Sequence, residues 1–99
     1  MCTKAPENSK FYVFGSFLRT ECPADLDILV IYDPEIVHPA SAHVAYKLLF
    51  NELGRHTGLK VDYTLLTYSE AEQSNFVSLV GAVECSECSK LCALTEQIL

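Results

Sequence analysis

Three apolar runs, each closed by polar or turn-forming residues, set out the skeleton of this chain. Lys10 to Phe14 (KFYVF) is rich in aromatics and stops at Gly15-Ser16, which predicts a first strand. Phe17 to Arg19 has room for a brief helical turn, and Thr20 to Ala24 (TECPA) reads as a loop marked by Pro23. Asp25 to Tyr32 (DLDILVIY) predicts a second strand, closed by the turn signal Asp33-Pro34. Beyond its aspartates this strand is apolar on both sides, with Leu29 and Ile31 on one and Leu26, Ile28 and Val30 on the other. Both faces are therefore expected to be covered, one by helices and the other by a candidate partner subunit.

From Pro39 to His56 the apolar period lengthens. Val44, Leu48, Leu49 and Leu53 recur at helical spacing and predict a helix with one buried face, its end bracketed by Gly54 and Gly58. Leu59 to Leu66 (LKVDYTLL) predicts a third strand. Thr67 or Ser69 can cap a following helix that has Glu70 and Glu72 in its first turn. Residues 76–99 are expected to be helical in parts, with AVEC (82–85) a candidate short strand. Residues 1–9 read as a flexible lead-in and residues 10–99 as one domain. The order strand, turn, strand, helix, strand, helix predicts an α/β (α+β) fold, a mixed sheet with helices on one face.

Composition narrows the function classes. The chain has 99 residues, 49 % of them hydrophobic, which supplies a core but leaves no room for a separate substrate-binding domain. A net charge of -6 argues against non-specific nucleic-acid binding and against docking on anionic membranes. An acidic protein can still handle a polyanion when a metal ion supplies positive charge. The start, MCTKAPENSK, lacks the apolar core of a signal peptide, and no apolar run is long enough to span a bilayer, so a cytoplasmic protein is expected.

The cysteine count is five, an odd number, and reduced thiols are expected. Cys85, Cys88 and Cys92 follow one another at spacings of three and four. One reading is a zinc or iron–sulfur site, for which a fourth ligand is missing. The favoured one is a helix stripe of small apolar side chains. Cys22 reads as an ordinary loop thiol. His38, His43 and His56 read as ordinary helix residues, His56 near a C-terminus where a cation is favourable.

Three aspartates stand out because aspartate is depleted in strands. Asp25 and Asp27 open the second strand and share one face, roughly 7 Å apart along the chain. Like charges in a poorly solvated place repel, and one carboxyl would hold its proton unless a cation intervenes. Magnesium suits such a pair, since it binds through one or two carboxylates plus water and substrate phosphates. Asp62 lies inside the third strand and joins the pair if the two strands are neighbours. Three carboxylates on one face could hold two metals about 4 Å apart for in-line phosphoryl displacement. Gly15-Ser16, at the end of a strand, exposes backbone N–H groups and a hydroxyl suited to phosphate oxygens. Lys60 shares the face of Asp62 and is read as a solvated strand-start lysine, and Tyr63 alternates into the core.

These residues carry a resemblance. FGSFLRTECPADLDILVIYD is similar to the signature of the DNA polymerase beta-type nucleotidyltransferase superfamily: an apolar strand, Gly-Ser, a spacer, then Asp-x-Asp opening a second apolar strand. VDYTLL, with Asp62, resembles the third acidic strand. The likeness spans Phe11 to Leu66 and is greatest to the minimal nucleotidyltransferases. It implies that Asp25, Asp27 and Asp62 are the catalytic metal ligands for Mg2+, with Asp62 also the base for the acceptor. It implies that Gly15 and Ser16 hold the β- and γ-phosphates and that Arg19 touches phosphate. The reaction implied moves a nucleoside monophosphate from Mg·NTP, ATP being the reference nucleotide, to an acceptor hydroxyl. The partners implied are a HEPN-type helical protein modified by an antitoxin-type enzyme, or a second copy completing a homodimer.

The chain departs from the signature at three points. The spacer from Phe17 to Ala24 has eight residues, Thr20 stands where a glycine is common, and Ala24 stands where a serine often precedes the first aspartate. A binding or assembly module that kept the fold and lost catalysis is therefore the alternative function, and a cysteine-ligated metal protein the third.

Overall fold

Successive side chains of β1 (Lys10–Phe14) and β2 (Asp25–Tyr32) point to opposite faces, and the two largely apolar strands pair antiparallel. The structure, a computed structural model, describes residues 9–20, 24–36 and 38–85. After β1 comes a helical turn, α1 (Ser16–Arg19). After β2 come α2 (Pro39–Thr57), β3 (Lys60–Thr67), α3 (Tyr68–Ser74), α4 (Phe76–Val80) and β4 (Val83–Glu84). The four strands form one mixed sheet in the order β3-β2-β1-β4. β4 is antiparallel to β1, whereas β2 and β3 are parallel, with α2 as the crossover that parallel neighbours require. The fold is the α+β class expected.

One face of the sheet makes the main core. Val13, Leu26, Ile28, Val30 and Tyr32 pack beneath Ala42, Tyr46, Leu49, Phe50 and Leu53 of α2, with Phe17 of α1 at one end. Tyr63 lies in this layer as expected, its ring 4.9 Å from that of Phe50. Phe11 meets Tyr46 and Phe50 edge-on, at 6.0 and 6.2 Å. The Tyr46 hydroxyl meets that of Ser9; burial raises the Tyr46 pKa, and the Ser9 contact opposes the rise.

The buried stripe of α2 differs from the predicted one. Leu49 and Leu53 are buried, but Val44 and Leu48 are 60 % and 55 % exposed. At about 100° per residue, Val44 lies half a turn from Leu53, so both cannot face one sheet. Tyr46 and Phe50 occupy the inward positions, because their rings fill the space between helix and sheet. The helix starts at Pro39 behind His38, which is its N-cap rather than an interior residue: the Nδ1 of His38 accepts from the Ala40 N–H at 3.1 Å. It ends at Gly58, whose φ of 73° closes the cap through a 2.9 Å bond from its N–H to the Gly54 carbonyl. Thr67 is the cap of α3, in a reciprocal box with Glu70.

The second face carries Tyr12 and Phe14, then Asp25, Asp27, Leu29 and Ile31, then Lys60, Asp62, Thr64 and Leu66. Leu29 and Ile31 are buried within the single chain, so their burial requires no partner subunit. Phe76 of α4 meets Phe14 edge-to-face at 5.5 Å and 84°. The candidate strand AVEC is present as β4, and Cys85 joins the main core. Cys22, Cys88 and Cys92 lie outside the described residues, as do the lead-in up to residue 8 and the predicted helical end of the chain. Among the described residues no helix is long and apolar enough to cross a membrane.

Candidate functional site

The parallel register of β2 and β3 sets Asp27 directly beside Asp62 and Asp25 beside Lys60. Neighbouring strands lie about 4.8 Å apart, so the two carboxylate-bearing Cα atoms are as close as a sheet allows. Asp25 stands on the same face, one pleat nearer the sheet's end. The antiparallel register of β1 places Phe14 on the other side of Asp27. The chain then turns at Gly15 and leaves the sheet next to that carboxylate.

Gly15 is fixed by two constraints. Its φ of 79° and ψ of -153° lie where only glycine is at ease. A Cβ there would overlap Oδ2 of Asp27 and lie 3.3 Å from its Cγ. A side chain at position 15 would therefore require the Asp27 carboxylate to move. Ser16 follows as the first residue of α1, half-buried, and the Thr20 N–H donates to its carbonyl at 3.0 Å. Arg19 ends the helical turn and is exposed.

Burial raises the pKa of Asp27 above its ordinary value of 3.8, and the negative charges of Asp62 and then Asp25 raise it further. The positive charges of Arg19 and Lys60 oppose this from a distance. Neither cation makes an ion pair among the described residues. The carboxylates therefore crowd one another without a cation in direct contact.

The donor set suits magnesium: all the ligand atoms are hard carboxylate oxygens, and two adjacent carboxylates suffice when water and phosphate complete the shell. Asp27 and Asp62 fit that description. Among the described residues, however, no three His, Cys, Asp or Glu side chains are gathered into a metal-holding group. Asp25 shares the face of the pair without converging on it. Of the six predicted site residues, the structure gathers Gly15, Asp27 and Asp62 most closely, keeps Asp25 and Ser16 beside them, and leaves Arg19 at the margin. Sequence reasoning passed over Phe14, which completes a row across three strands: Phe14, Asp27, Asp62. Strand parity was the signal for it, since Phe14 and Asp27 share a face once β1 and β2 pair antiparallel in this register.

Comparison with known proteins finds no family model that matches the chain, and no curated protein or solved structure with significant similarity to it.

Proposed function

We propose that this chain is a metal-dependent nucleotidyltransferase that moves a nucleoside monophosphate from Mg·NTP to an acceptor hydroxyl and releases pyrophosphate. The observation that carries the reading is the placement of Asp62 beside Asp27 on one sheet face, with the Gly15 backbone held against Asp27. The likeness of FGSFLRTECPADLDILVIYD and VDYTLL to the polymerase beta-type signature supports it.

Asp25, Asp27 and Asp62 would hold Mg2+, which supplies charge neutralisation for the triphosphate and for the attacking oxygen. The turn at Gly15 and Ser16 receives phosphate oxygens through backbone N–H and hydroxyl. Arg19 adds positive charge at the outer edge. Asp62 is exposed and accepts the proton of the acceptor hydroxyl. On the resemblance to the minimal nucleotidyltransferases, the acceptor is carried by another macromolecule, a HEPN-type helical protein or a second copy of this chain. The five cysteines fit work in a reducing cytoplasm.

One observation favours a second reading, a nucleotidyltransferase-fold binding module without catalysis. The three carboxylates do not converge, and the spacer before them is short. Calorimetric titration of a non-hydrolysable ATP analogue separates the readings. It is run with and without magnesium, on the unmodified chain and on Asp25→Asn/Asp27→Asn. Binding that needs both the metal and the aspartates is expected. Absence of binding for all four nucleoside triphosphates would sink the reading of this chain as an enzyme complete in itself, its site being vestigial or completed by a partner.

A further inference from the structure

The second face of the sheet has an aromatic pair that the phosphate chemistry leaves unused. Phe14 stands on β1 at the register position of Asp27, with its side chain on the face of the carboxylates. Antiparallel partners of this kind lie about 5 Å apart at Cα. Phe76, from α4, stands perpendicular to the Phe14 ring at 5.5 Å and 84°. Neither ring belongs to the main core under α2, and each keeps part of its surface exposed. Phe14, with Phe76 perpendicular against it, thus brings partly exposed aromatic surface to the strand beside Asp27.

We propose that Phe14 and Phe76 form the nucleobase subsite of this chain. The inference rests on the nucleotide-transfer reading above and names the part of the substrate that reading leaves unplaced. The site is polar toward the strand ends, where Asp25 and Lys60 occupy the same register position and the chain leaves at Gly15-Ser16. Phosphates belong at that end. Beside the Asp27–Asp62 pair, Phe14 and Phe76 supply partly exposed apolar surface, while farther inward Leu29 is already covered by the chain itself. A nucleotide has the same polarity, charged at one end and flat and apolar at the other. Laid across the carboxylates with its phosphates outward, it directs its base onto that aromatic surface. Stacking on a phenylalanine ring tolerates any base, because every base has a π-face. The subsite therefore favours purines by area and does not separate adenine from guanine.

The test compares two ligands on the same protein: Mg·ATP as its non-hydrolysable analogue, and Mg·tripolyphosphate, which has the charge and no base. Both are titrated into the unmodified chain, Phe76→Leu and Phe14→Leu. Leucine keeps apolar packing and removes the ring face. We expect the nucleotide to bind more tightly than tripolyphosphate to the unmodified chain. Each variant should weaken nucleotide binding about tenfold, within the range of base–aromatic stacking, and leave tripolyphosphate binding unchanged. Equal weakening of both ligands, or none, overturns the base subsite while leaving the phosphate site standing. Failure of both ligands to bind the unmodified chain overturns the nucleotide reading and this inference together.

Discussion

Gly15 and Asp27 are a matched pair, each making sense only in the other's presence. The turn at Gly15 leaves no room for a Cβ beside the Asp27 carboxylate, and its positive φ suits glycine. Gly15→Ala should cost about 1–3 kcal/mol from backbone strain alone. It should also displace the Asp27 carboxylate and abolish nucleotide binding, which urea unfolding and calorimetry would read separately. Asp27 itself predicts a pH effect. Its folded-state pKa is raised, so the folded protein holds that proton more firmly than the unfolded chain does. The stabilisation this gives is complete below the unfolded value near 3.8 and is lost as pH rises through the folded one. Asp27→Asn should therefore raise the urea midpoint at neutral pH, and the gain should shrink to nothing as pH falls below 3.8. A gain that grows toward acid pH would contradict the assigned crowding.

Helix α2 shows what one element's pattern does and does not reveal. Its ends were legible: Pro39 can only begin a helix comfortably, and Gly58 accepts the left-handed stop. Its inward face was not. Two apolar stripes overlap on this helix, and Val44 and Leu48 fall on the wrong one. The aromatic pair Tyr46 and Phe50, together with Ala42, decides the rotation, since only that choice sets their rings against Phe11 and Tyr63. Adjacent leucines therefore should behave oppositely. Leu49→Ala should destabilise by about 2–5 kcal/mol, while Leu48→Ala should stay within about 0.5 kcal/mol. Denaturant midpoints of the two variants check the assigned rotation directly.

At the scale of the molecule, the sheet sorts its side chains into an apolar face under α2 and a face that is half acidic and half apolar. That division was largely legible, because strand parity alone puts Asp25 with Asp27 and sends Tyr63 to the core. The register was not legible: nothing in LKVDYTLL says that Asp62 rather than Lys60 lies beside Asp27, and only the parallel pairing sets it. The sheet order has a consequence for motion. β2 is an inner strand, paired on both sides, while β3 is an edge strand among the described residues, paired only with β2. Edge strands open more readily than inner ones, and amide exchange reads such opening locally. A cation shared by Asp27 and Asp62 would fasten the outermost strand to its neighbour. Magnesium should then slow hydrogen exchange along Val61 to Leu65 more than along β1, and Asp62→Asn should abolish the slowing. Ligand occupancy in this protein would thus be legible as a hem sewn onto a loose border, detectable by mass spectrometry before any acceptor has been found.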